Sequence, residues 1–87
     1  MVYKVELRPL ALRQLRKLPV DVRRRVERLL IGLAEDPRPH GCLPLTGRPG
    51  YRVRVGVYRV LYEVRDDVLI VTLVEIGHRR EVYRDRS

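Results

Sequence analysis

The stretch Tyr51 to Val64, YRVRVGVYRVLYEV, alternates with period two on either side of Gly56-Val57. It constrains the fold more than any other segment. Alternation of this kind selects strands, and Gly-X between two such runs suits a two-residue type II′ turn. With Gly56 and Val57 as the loop, Val55 faces Tyr58, Arg54 faces Arg59, Val53 faces Val60 and Arg52 faces Leu61. Directly opposed residues share a face. Arg52, Arg54 and Arg59 therefore project from one side of the hairpin. Val53, Val55, Tyr58 and Val60 project from the other, which belongs against a core.

The remaining elements follow from periodicity. Val2 to Leu7 alternates as a short edge-like strand. Pro9 suits the first turn of a helix, in which Ala11, Leu12, Leu15 and Leu18 recur at helical spacing until Pro19. A second helix carries the stripe Val22, Val26, Leu29, Leu30 and Leu33, with Arg23, Arg24, Glu27 and Arg28 outward and Asp21 as its cap or in its first turn. Asp36 to Pro49, with four prolines and two glycines, reads as a surface loop within one domain, residues 1–87. After the hairpin, Asp66-Asp67 reads as a tight turn or part of a longer loop. Val68 to Ile76 is a nearly all-apolar strand, expected to be central and covered on both faces. Gly77 is expected to end it, leaving a short C-terminal tail or helix. The expected fold is α+β in the order β-α-α-β-β-β, a helix hairpin on one face of a mainly antiparallel four-stranded sheet.

Composition narrows the function. Nineteen Lys and Arg against eleven Asp and Glu leave a net charge of +8, and 17 of the 19 are Arg. A small basic domain commonly meets a polyanion, and Arg offers a planar fork suited to bidentate phosphate contacts. A GC-rich or heat-adapted genome would also enrich Arg, so composition alone leaves both explanations open. The single cysteine, Cys42, excludes an internal disulfide and fits a reducing, cytoplasmic setting. No apolar run is long enough to span a membrane, and the start does not read as a signal peptide. His40 and Cys42 have no second ligand pair at zinc-like spacing, and no Gly-rich phosphate loop is present, so neither a metal nor a cofactor is expected.

The cationic hairpin face is costly, because like charges directly opposed in a ladder repel. Arg stems can also spread over a sheet with their heads in water, so one such pair is not yet a site. The tail adds His78, Arg79, Arg80, Glu81, Tyr83 and Arg84 beside the sheet. Cleavage of RNA through its own 2′-hydroxyl needs a base, fixed positive charge on the crowded phosphorane, and an acid for the departing 5′-oxygen. Guanidinium groups supply the charge but do not readily give up a proton. His78 titrates closest to neutrality, whereas Tyr83 would need neighbouring cations to favour its phenolate.

Taken together, the segments YRVRVGVYRVLYEV and IGHRREVY (Ile76 to Tyr83) resemble the RelE/ParE superfamily of bacterial and archaeal toxins, and more closely its RelE branch. The likeness runs over nearly the whole chain. It implies a metal-independent, ribosome-dependent endoribonuclease that cuts mRNA in the A site by 2′-hydroxyl attack, leaving a 2′,3′-cyclic phosphate. By position, Arg52 and Arg54 match two basic residues of the first hairpin strand, and Arg59 matches the arginine that grips phosphate. Arg79 matches the residue that stabilises the transition state, and Tyr83 the tail tyrosine of proton transfer or stacking. Arg80 and Arg84 join the phosphate-binding set. Well-known members carry lysines where this chain has Arg52 and Arg54. That departure returns the acid and base roles to Tyr83, His78 or Glu81.

The resemblance also implies a small, often acidic, RelB-like antitoxin as partner, alongside ribosome and mRNA. A toxin–antitoxin heterotetramer binding operator DNA through the antitoxin is a further implication. Three alternatives stay open: a ParE-like inhibitor of DNA gyrase, a basic RNA- or ribosome-binding module without cleavage, and a decayed toxin kept for its complex.

Overall fold

The computed structural model describes residues 2–78. Arg79, Arg80, Glu81, Tyr83 and Arg84 lie outside the described residues. The elements run β1 (Lys4–Leu7), α1 (Pro9–Lys17), α2 (Val20–Glu35), β2 (Leu43–Pro44), β3 (Tyr51–Val55), β4 (Tyr58–Arg65) and β5 (Ile70–His78). They form one sheet in the order β1-β5-β4-β3-β2, with β1 parallel to β5 and the other pairs antiparallel. The α+β class is as expected, but the sheet has five strands rather than four. The addition is the two-residue β2, inside the segment read as a loop. Too short to show a period, it exists because β3 offers it a ladder, with Leu43 opposite Arg52 and Pro44 opposite Tyr51.

Both helices pack on the sheet face that carries Val55, Val60 and Tyr62. With Ala11, Leu15, Val26, Leu33, Val71, Leu73 and Ile76, these residues make the core. The α2 stripe behaves as its spacing requires. Val26 and Leu33 are fully buried, and Val22, Leu29 and Leu30 pack against the core. Asp21 lies in the first turn of α2 and makes no side-chain cap, the N-cap position being Pro19. No helix among the described residues is long and apolar enough to cross a membrane.

Strand β5 corrects the sequence reading in three ways. The turn before it spans residues 66–69 with Leu69 at φ 56°, so the strand begins at Ile70, not Val68. The strand does not stop at Gly77 but pairs through His78, which lies opposite Tyr58. Only one of its faces meets the helices. Its apolar run reflects a register shift: Leu61 pairs with Glu75 while Tyr62 pairs with Leu73, leaving Val74 as the extra residue of a β-bulge. In a regular strand Leu73 and Ile76 would point to opposite faces. The bulge lets both enter one core. Beside it, the Ile76 amide donates to Gln14 Oε1 at 2.7 Å, tying α1 to β5.

The connection from Asp36 to Gly50 is anchored from both sides. The Tyr62 hydroxyl donates to the Pro37 carbonyl at 2.8 Å. Burial and neighbouring Cys42 raise the pKa of that phenol, keeping it a donor. Arg38 donates two hydrogen bonds to Asp66 at 3.2 and 2.8 Å and a third, from Nε, to the Tyr51 hydroxyl at 2.8 Å. The Tyr3 hydroxyl donates to the same carboxylate at 2.6 Å. These contacts tie the loop to β3, to the β4–β5 turn and to the start of the chain.

Candidate nucleic-acid interface

The β3–β4 register matches the sequence expectation pair for pair: Arg52 with Leu61, Val53 with Val60, Arg54 with Arg59 and Val55 with Tyr58. A left-handed Gly56 at φ 61° makes the turn possible. Arg52, Arg54 and Arg59 therefore share the face opposite the helices. They line one pocket of about 210 Å³ with Gly41 and Leu43. The anchored loop supplies that wall. Leu43 shares a face with Arg52 because the two are ladder partners.

The three guanidiniums differ in setting. Arg54 is exposed and Arg52 half-buried, but Arg59 is only 3% exposed. Gly77 stands directly opposite Arg59 on β5 and contributes no side chain there. Two smaller hollows flank the pocket. One lies among Pro44, Leu45, Thr46 and Arg52; the other, at the hairpin tip, lies among Arg54, Gly56, Val57, Tyr58 and Arg59. The cationic surface thus follows β3 from loop to turn. Fixed, weakly hydrated forks of this kind bind phosphate and stabilise charge that builds on it.

Known proteins resemble this chain over most of its length. A family model described as the ParE toxin of the type II toxin–antitoxin system parDE matches residues 5–83. The mRNA interferase toxin RelE of Escherichia coli K12 is 31% identical over 90 residues, covering 98% of this chain and 94% of that protein. The chain belongs to the RelE/ParE toxin superfamily, on its RelE-like branch. Among solved structures, a double arginine-to-alanine variant of E. coli RelE in the free state superposes with a TM-score of 0.80 at 28% identity, covering 99% of this chain and 95% of that one. The RelBE2 toxin–antitoxin complex of Mycobacterium tuberculosis gives a TM-score of 0.79 at 28% identity, covering 91% and 100%.

Within this RelE-like fold the expected site residues separate. Arg52, Arg54 and Arg59 are brought together. His78 is not with them: as the partner of Tyr58 it projects from the helix side, its ring edge-on to the Tyr58 ring with centroids 6.2 Å apart. It lines a groove with Gln14, Lys17 and Leu18 instead. Two features escaped the sequence reading. Glu75, opposite Leu61, lies on the arginine face two ladder positions from the Arg59–Gly77 pair. Gly41 and Leu43 form the pocket wall. Neither carries a sequence signal, since one depends on the β4–β5 register and the other on where the loop is anchored.

Proposed function

We propose that this chain is the toxin of a type II toxin–antitoxin pair and cleaves mRNA on the ribosome, in the A site. The observation that carries the reading is the convergence of Arg52, Arg54 and Arg59 on one pocket of a RelE-like sheet. In it these arginines hold the scissile phosphate and offset charge as the message's 2′-hydroxyl attacks. The 5′-oxygen leaves and a 2′,3′-cyclic phosphate remains. Arginine is a poor proton carrier, so proton transfer falls to residues that follow β5 in the chain. Arg79 adds charge at the transition state, with Arg80 and Arg84 on flanking phosphates, and Tyr83 or Glu81 moves protons. The place of His78 across the sheet favours those two over the imidazole.

A RelB-like antitoxin is the proposed partner, as solved complexes of RelE relatives with RelB support. The deciding experiment supplies the full chain to purified ribosomes translating a defined message and maps the ends formed. Cuts in the A site carrying 2′,3′-cyclic phosphate, abolished by Arg79→Ala or Tyr83→Ala in folded protein, are the expected result. Stalled ribosomes holding intact message would overturn it, as would inhibition of DNA gyrase supercoiling without RNA cleavage.

A further inference from the structure

We propose that Arg25 of α2 carries the phosphate-binding surface around the β3–β4 turn and grips an RNA phosphate flanking the one held by Arg52, Arg54 and Arg59. This rests on the reading that the ligand is RNA. On the helical wheel Arg25 sits at the flank of the Val22–Val26–Leu29–Leu33 stripe, whereas Arg24 points away from it. The flank position lets its guanidinium cross to the sheet. Arg25 Nη1 lies 3.6 Å from where a Cβ on Gly56 would stand. Gly56 also lines the hollow at the hairpin tip, with Arg54, Val57, Tyr58 and Arg59. Arg54 and Arg59 line both this hollow and the main pocket, so the two adjoin. A strand of RNA held in the pocket and running past the turn meets Arg25 next.

The pairing of charges points the same way. Ion pairs link Lys4 to Glu6, Arg8 to Glu63, Arg38 to Asp66 and Arg65 to Asp67. Among the described residues Arg25 makes no such pair, so none of these carboxylates competes with an incoming phosphate for its guanidinium.

The test measures binding of a short labelled single-stranded RNA by the full chain across a series of salt concentrations. Arg25→Gln is compared with Arg24→Gln, which removes the same charge from the outward side of the helix. Each phosphate contact to a single strand contributes about 0.7 to the slope of log affinity against log salt. Arg25→Gln is expected to flatten the slope by about that amount and weaken binding about three- to fivefold at low salt. Arg24→Gln should leave both near wild type. Equal effects of the two substitutions, or no binding by the wild-type chain, overturn the proposal. Missing mRNA cuts on ribosomes would sink the nuclease reading instead, without touching the contrast between the variants.

Discussion

Arg54 and Arg59 stand directly opposite each other across the β3–β4 ladder, one exposed and one almost fully enclosed. A like-charge pair in that position opposes folding, since favourable cross-strand pairs contribute about 0.2–1 kcal/mol and like charges reverse the sign. Arg54→Thr should therefore raise the unfolding free energy by a few tenths of a kcal/mol or more, while cutting mRNA cleavage sharply. Equilibrium unfolding and ribosome cleavage assays on one preparation check both halves. A variant that loses stability along with activity would show that the arginine is structural.

The two loop glycines allow a graded comparison. Gly47 (φ 76°) and Gly50 (φ 115°) both hold left-handed backbone, but a Cβ at Gly47 meets nothing within 4 Å. At Gly50 it would come within 2.7 Å of the Tyr62 carbonyl oxygen. Gly47→Ala should cost about 1–2 kcal/mol from backbone strain alone. Gly50→Ala should cost distinctly more, because backbone must shift. Thermal or urea unfolding of both variants measures the difference, and equal losses would contradict the close approach.

Tyr62→Phe removes the hydroxyl that donates to Pro37 and leaves that carbonyl without this donor. The expected loss is about 0.5–1.5 kcal/mol for the bond, more if the acceptor stays dry. Because the anchored loop carries Gly41 and Leu43, RNA affinity should fall as well. Hydrogen exchange of the amides at Arg38 to Leu43 should speed up before that of β4.

Acid should release the same loop from its other anchor. The Arg38 guanidinium first, and the Tyr3 hydroxyl second, hold the Asp66 carboxyl down to about 2. Its folded value lies below the unfolded one, near 3.9. Its contribution is therefore complete above about pH 4 and lost as the pH falls through about 2. An NMR titration of the Asp66 carboxyl should show that low midpoint, and Asp66→Asn should remove the associated change in loop amide shifts. A midpoint near 4 would mean that the clamp does not form in solution.

Much of this architecture is legible along the chain. Arg52, Arg54 and Arg59 can be put on one face from the sequence because a Gly-X turn leaves only one register, and period two does the rest. The helix pair is likewise local, since Pro9 and Pro19 punctuate it and the Val22 to Leu33 stripe marks its buried side. The β4–β5 register is not local. A tight Asp66-Asp67 turn would put Val74 opposite Arg59. The longer turn at 66–69 and the bulge at Val74 bring Gly77 there instead and leave His78 on the helix side.

The sequence by itself determined the local alternation, the turn chemistry and the surplus of guanidinium charge, because each depends on residues a few positions apart. Only the tertiary structure decided which β5 residue meets Arg59, which loop atoms wall the pocket and that Arg25 reaches the hairpin tip. Those outcomes depend on packing two helices and a bulged strand around one core, where burial competes with ladder geometry across most of the chain.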